Sequence, residues 1–62
     1  MYHCYLYDER DAVMDVWPID CDNDREAEES AVDIQAACSA AATEVWRGGR
    51  LVYSSTIPAR TD

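Results

Sequence analysis

Lysine and phenylalanine are absent from this 62-residue chain, and histidine occurs only once, at position 3. Thirteen acidic residues outnumber five arginines, so the formal net charge is −8 at pH 7. A surface this acidic repels phosphate backbones, which argues against nucleic-acid binding. No apolar run is long enough for a membrane span, and the first residues lack the basic region and apolar core of a signal peptide. The sequence therefore predicts no nucleic-acid partner and no membrane association.

Catalytic and metal-binding motifs are also scarce. Three cysteines, Cys4, Cys21 and Cys38, lie far apart without CxxC spacing, so we expect free thiols in a reducing, cytoplasmic setting. Together with His3 they make four possible zinc ligands, but their spacing matches no compact site. Neighbours in a strand point to opposite faces, so His3 and Cys4 cannot act as base and nucleophile. There is no nucleophile elbow and no glycine-rich phosphate loop. We therefore predict no enzyme activity, no metal and no cofactor.

One alanine-rich segment without glycine or proline, from Asp24 to about Ala42, predicts a single helix. On a helical wheel, one side of this helix carries no charged residue and is expected to face the core. That side consists of Ala27, Ser30, Ala31, Ile34, Ala37, Cys38, Ala41 and Ala42. A weak apolar stripe of Val32, Ala36 and Ala40 lies among the charged residues opposite, and we expect it to be incidental.

The acidic run Asp20-Cys21-Asp22-Asn23-Asp24 precedes the helix and has two interpretations. Asn23 followed by Glu26 is typical of a helix N-cap, and Ile19 is placed to pack back on the first turn. The alternative is a cation site, because the three aspartates of the run alternate as in a calcium-binding loop. Neither possible register of that loop provides the glycine that its sharp turn requires. We therefore expect helix capping rather than specific cation binding.

Four segments have the aromatic and β-branched composition of strands: residues 2–7, 12–17, 43–47 and 50–53. A polar turn joins the first two as a hairpin. Gly48-Gly49 joins the last two, and such a pair is a strong signal for a tight hairpin. In a two-residue hairpin Trp46 faces Leu51, and Val45 faces Val52.

These elements predict an α+β fold with two layers: a four-stranded antiparallel sheet with one helix on one face, in the order ββαββ. Residues 1–53 form the single domain, and residues 54–62 a frayed C-terminal tail. The small residues of the helix are expected to pack against bulky sheet residues such as Leu6, Met14 and Val52. Strand order stays open, because the second hairpin can dock on either side of the first.

The sheet face away from the helix is expected to be rich in aromatic residues. Besides His3, the possible interface residues are Tyr5, Tyr7, Trp17, Trp46 and Tyr53. A domain of this size buries only about 60% of its unfolded surface, which leaves little net stability without a partner. We therefore predict a cytoplasmic protein-interaction domain that self-associates as a homodimer through its uncovered sheet face or an edge strand.

An acidic inhibitor is the alternative, either antitoxin-like or mimicking nucleic acid, that neutralises a basic protein partner. It requires one continuous acidic ridge and binding that weakens steeply with salt. The ridge residues would be Asp20, Asp22, Asp24, Glu28 and Glu29. Arg47 and Arg50, beside the glycine turn, form a basic spot that could hold a partner's carboxylate or phosphate, but a solubilising role is favoured.

Three stretches together carry a resemblance to a known group of proteins: Tyr5-Leu6-Tyr7-Asp8, Ile19 to Asp24 with Glu26-Ala27, and Glu44 to Val52. Over about residues 2–53 the chain resembles a family of small uncharacterised proteins from GC-rich alphaproteobacteria. The resemblance implies a single ββαββ domain, with an acidic run at the helix start and a tryptophan just before the last hairpin turn. It implies no activity, because the shared motifs are those of folding.

Overall fold

The computed structural model of the protein describes residues 1–55. Its elements, in chain order, are β1 (Tyr2–Tyr7), β2 (Val13–Ile19), α1 (Asp24–Cys38), β3 (Ala42–Arg47) and β4 (Arg50–Ser54). The strands form one antiparallel sheet in the order β2-β1-β3-β4. The predicted α+β class and ββαββ order are confirmed. The two hairpins lie side by side, so β1 and β3 are central while β2 and β4 are edge strands.

The core lies between the helix and one face of the sheet. The helix packs mainly on β3, with fewer contacts to β1 and β4. The buried residues are Tyr2, Cys4, Leu6, Ile19, Ala27, Ala31, Thr43 and Val45. The predicted packing of small helix residues on large sheet residues is confirmed for Leu6, which shares this core with Ala27 and Ala31. The same prediction is wrong for Met14, which is 47% exposed. It lies at a bulge of edge strand β2, while the helix packs mainly on β3.

The helix begins as its sequence predicts. Asn23 is the N-cap with an extended backbone, and its side-chain oxygen accepts a hydrogen bond of 2.9 Å from the Glu26 amide. The Glu26 carboxylate accepts in turn from the Asp22 amide at 3.4 Å. Ile19 is buried in the same cluster as Ala27 of the first turns. The acidic run therefore caps the helix, since two donors that lack intrahelical partners are satisfied by side chains.

The helix ends at Cys38, so the predicted end near Ala42 is wrong by about one turn. Ser39 adopts a left-handed conformation with φ 54°, a common way to terminate a helix. The Ala41 amide then donates a 2.9 Å hydrogen bond to the Tyr7 carbonyl, and Ala42 starts β3. Sheet pairing outweighs the helix propensity of these alanines, which is at most about 0.7 kcal/mol per residue.

A bulge alters the second hairpin. Trp46 pairs with Leu51 as predicted, but Val45 pairs with Tyr53 rather than with Val52. Val52 is the additional residue, and both it and Tyr53 pack partly buried against the core. The bulge therefore changes the sheet face on which the end of β4 places its side chains.

Strand β4 extends to Ser54, one residue beyond the domain boundary expected from the sequence. Ser55 continues the contact with β3: its amide donates to the Thr43 carbonyl at 3.0 Å, and its hydroxyl accepts from the Thr43 amide at 2.9 Å. The rest of the expected tail, residues 56–62, lies outside the described residues.

Candidate interaction surface

Cross-strand pairs determine which side chains lie on the sheet face away from the helix. Side chains alternate between faces along a strand, and directly paired residues share a face. The buried Cys4 and Val45 mark the helix side. The opposite side, hereafter the uncovered face, is formed by His3, Tyr5, Tyr7, Val13, Val16, Pro18, Ala42, Glu44, Trp46, Leu51 and Ser54.

Three of the five possible interface residues come together on the uncovered face: Tyr5, Tyr7 and Trp46. The other two do not. Trp17 pairs with Cys4 and Tyr53 with Val45, so both lie on the helix side. Trp17 is still 41% exposed, because it belongs to edge strand β2 while the helix is centred on β3. Tyr53 is partly buried against the core.

Aliphatic residues that are not among the five predicted interface residues complete the uncovered face. Val13, Val16 and Leu51 are 54%, 41% and 45% exposed, so large apolar side chains meet solvent on both edge strands. The predicted pairing of Leu51 with Trp46 was a signal that the two share a face. For Val16 the signal was its position opposite Tyr5, which becomes visible only once the hairpin register is known.

A single carboxylate, Glu44, lies near the centre of this aromatic surface. The Tyr7 hydroxyl and the Trp46 indole N–H both donate to its Oε1, at 3.0 and 3.1 Å. Tyr5 is directly opposite Glu44 on the neighbouring strand. Burial, followed by the hydrogen bond to Glu44, raises the pKa of the Tyr7 hydroxyl. The carboxylate therefore orients two aromatic side chains.

Charge is unevenly distributed over the described residues. Glu44 is the one acidic residue of the uncovered face, although the whole chain carries thirteen. The other acidic positions in the described range lie in the turn at 8–11, at Asp15 on the helix side of β2, and in the acidic run and the helix. The uncovered face is therefore apolar and carries little of the net charge of −8.

The free edge of β2 is poorly suited to pairing with another strand. The Tyr7 carbonyl accepts from Ala41, so odd-numbered β1 residues direct their backbone groups toward β3. Val16 and Pro18, which pair with these residues on β2, then direct their backbone groups toward solvent at the free edge. The Val16 amide is bound by the Asp15 carboxylate at 2.9 Å, and proline has no N–H. Edges protected in this way resist strand addition.

The two arginines next to the glycine turn bind within their own chain. Arg50 donates to Asp24 at 3.1 Å, and Arg47 lies over the Tyr2 ring at 5.3 Å and within 3.4 Å of its hydroxyl. The Tyr2 hydroxyl donates to Asp24 at 2.7 Å. This bond, followed by the one from Arg50, lowers the pKa of Asp24, and the same bond to Asp24 raises the pKa of Tyr2. The cluster ties the hairpin to the helix start.

Arginines also interrupt the acidic positions around the helix start. Arg50 neutralises Asp24, and Arg25 lies 3.6 Å from Glu29 in an exposed i, i+4 pair. Exposed pairs of this kind contribute little stability, roughly 0.3–0.5 kcal/mol. They do break the continuity that an acidic ridge from Asp20 to Glu29 would need.

Two shallow depressions lie among the described residues. One, of about 290 Å³, is lined by Tyr7, Asp11, Ala42 and Glu44, and one of about 380 Å³ lies beside the turn that joins β1 and β2. Within residues 1–55, no group of three histidine, cysteine, aspartate or glutamate side chains is placed to hold a metal ion. No helix in this range has the length and apolar character needed to cross a bilayer.

Comparisons with protein-family models, with curated proteins and with solved structures found no match for this chain. The resemblance to small alphaproteobacterial proteins therefore stays a prediction.

Proposed function

We propose that this protein is a small cytoplasmic interaction domain that self-associates into a homodimer through its uncovered face. The observation that carries the proposal is the aromatic and aliphatic surface of Tyr5, Tyr7, Val16, Trp46 and Leu51, which no described element covers. Contiguous exposed apolar patches are typical of interaction sites. The unpaired state of the three cysteines suits a reducing compartment.

The location of the charges favours a second copy as the occupant. Two chains of net charge −8 repel each other over most of their surface. The repulsion is weakest where the two uncovered faces meet, because each contributes one carboxylate. Burial of apolar surface there contributes roughly 25 cal/mol per Å² and can outweigh the remaining repulsion.

Face-to-face contact is favoured over addition of a strand at β2, because Asp15 and Pro18 block the donors of that edge. At about 4.8 Å between strands and 3.3 Å per residue, a four-stranded face measures roughly 20 Å in each direction. Two such faces of about 400 Å² each bury about 800 Å² together, slightly less than the roughly 1,000 Å² expected of a stable specific interface. We therefore expect a reversible dimer whose population rises with concentration.

Val16→Thr tests the proposal with a near-isosteric change on the uncovered face. In a two-fold dimer the substitution acts twice, and each buried hydroxyl without a partner costs about 1–3 kcal/mol. The dimer dissociation constant, measured by sedimentation equilibrium, should rise at least tenfold. Circular dichroism of the variant should stay that of the native fold, since Val16 is 41% exposed in the single chain.

Val32→Thr is the matched control, because Val32 is 47% exposed on the outer side of the helix. It should leave the dissociation constant unchanged. If both substitutions weaken the dimer equally, or if neither weakens it, assembly through the uncovered face is contradicted.

Capture of a basic protein partner is the second candidate, and the net charge of −8 favours it. Glu28 and Glu29 are exposed on the helix, although Arg25 and Arg50 interrupt the acidic positions next to them. Binding of a model polycation that weakens steeply with salt, together with a monomeric protein, would favour this candidate.

A further inference from the structure

Glu44 presents a problem for any dimer formed through the uncovered face. A carboxylate that enters an interface loses its hydration, and the loss is compensated only if a partner supplies donors or positive charge. Within the described chain, Tyr7 and Trp46 both donate to Oε1. Oε2 therefore needs a donor from the other copy.

The symmetry of a homodimer restricts where that donor can come from. In a two-fold interface the same patch serves both copies, so the complement of Glu44 must lie on the uncovered face itself. His3 is the one residue of that face whose side chain can be cationic, and it can donate an N–H in either protonation state. No hydrogen bond or ion pair involves its side chain within residues 1–55. His3 is exposed.

We propose that two copies associate about a two-fold axis that pairs His3 of each with Glu44 of the other. This inference depends on the proposed self-association and specifies its contact. One interface then contains two histidine–carboxylate pairs, and each carboxylate has donors on both of its oxygens.

The register of the sheet supports this arrangement. His3 pairs with Trp46, and Tyr5 with Glu44, so His3 and Glu44 are diagonal neighbours on the uncovered face. A two-fold axis in the plane of the interface can place His3 of each copy on Glu44 of the other. This axis crosses the line from His3 to Glu44 at its midpoint and passes close to Tyr5 and Trp46. Each of these aromatic residues then meets its own copy across the axis. Aromatic pairs in contact contribute about 0.5–1.5 kcal/mol beyond their buried area.

The same operation brings other apolar residues into contact. From about 4.8 Å between strands and 6.7 Å between alternate residues, it places Val16 close to the axis, where it meets its own copy, and Tyr7 of one copy beside Pro18 of the other. The strands of the two sheets cross at about 70° for these spacings, which approaches the orthogonal class of sheet packing. The arrangement therefore pairs the charged groups and buries the apolar residues at the same time.

Two charge-changing variants test the pairing. His3→Glu places glutamate against Glu44 of the second copy, and Glu44→Lys places lysine against His3. Each variant alone should self-associate at least tenfold more weakly than the wild type. In an equimolar mixture, both contacts become complementary: His3 meets Glu44, and the new lysine meets the new glutamate. Sedimentation velocity of the mixture should show a dimer at concentrations where each variant alone is monomeric.

The outcomes separate this inference from the proposed function. A wild type that stays monomeric at every concentration would overturn both. A wild-type dimer with both variants dimerising equally well would overturn the pairing and leave self-association intact. Folded variants, by circular dichroism, whose mixture fails to associate would also overturn the pairing.

Milder substitutions keep the test decisive if either charged variant fails to fold. Glu44→Gln retains an acceptor for Tyr7 and Trp46, and His3→Gln retains an amide donor. Because the two groups contact each other across the interface, the double variant should weaken the dimer by no more than the larger single effect. Fully additive effects would overturn the pairing.

Discussion

Leu6→Ala truncates the largest aliphatic side chain that is completely buried, and its effect can be worked out from the structure. Leu6 is completely buried, in a cluster of seven buried apolar residues within residues 1–55. Truncation of a buried leucine to alanine costs about 2–5 kcal/mol. A chain of this length has a total stability of roughly 3–9 kcal/mol, at about 0.05–0.15 kcal/mol per residue. At the middle of both ranges the variant loses about half of its stability.

Urea unfolding, followed by tryptophan fluorescence and circular dichroism, measures the loss. With a slope of about 1 kcal/mol per molar urea for so small a domain, the midpoint of Leu6→Ala should fall by at least about 2 M, or the variant should be unfolded without urea. Val32→Ala serves as the control, since Val32 is 47% exposed on the helix and alanine has the higher helix propensity. A midpoint for Leu6→Ala within 0.5 M of the control, roughly 0.5 kcal/mol, would refute the assignment of the core.

Three further predictions concern the turns and the helix start. Asn23→Ala removes the acceptor of the Glu26 amide and should cost about 1 kcal/mol, measured as a lower thermal midpoint; an unchanged midpoint would contradict the cap. Gly48→Ala places a side chain on a residue with φ 62°, which is strained for alanine. The thermal midpoint should fall by several degrees, since 1 kcal/mol corresponds to about 4–8 °C in a domain of this size. Gly49→Ala is the control and should leave the midpoint unchanged, because Gly49 has no positive φ and open space around it. Hydrogen bonds lower the pKa of Asp24 in the folded state. The Asp24 carboxylate therefore stabilises the fold fully above its unfolded-state pKa of about 3.9, and this stabilisation is lost as the pH falls through its folded-state pKa. Urea midpoints in a pH series measure how much more stable the wild type is than Asp24→Asn. This difference should shrink in acid; a difference that grew in acid would contradict the role given to Asp24.

Local signals account for the parts of the fold that the sequence predicts well. The start of the helix depends on Asn23 and Glu26, three residues apart, and the structure contains the expected bond between them. The end of the helix depends on a distant contact, the hydrogen bond from Ala41 to Tyr7 and the entry of Ala42 into β3. Nothing in the alanine-rich segment itself signals that contact, so propensity alone extends the helix too far.

The candidate surface was only partly predictable, for a similar reason. Tyr5 and Tyr7 alternate with buried residues along β1, so their common face follows from the strand itself. Tyr53 lies on the helix side only because the bulge at Val52 shifts the register of β4 by one residue. A one-residue shift exchanges the two faces of a strand, and no turn residue in this sequence marks the bulge. Trp17 has the same parity as the buried Ile19, but β2 lies too far from the helix for its middle to be covered.

Solution mass over a concentration series, by sedimentation or light scattering at low and moderate salt, tests the central claim most directly. We expect a monomer–dimer equilibrium whose dimer fraction rises with protein concentration and does not fall with added salt, because the contact is mainly apolar and salt screens the repulsion between the two acidic chains. A monomer at every concentration and in both salt conditions would contradict assembly through the uncovered face.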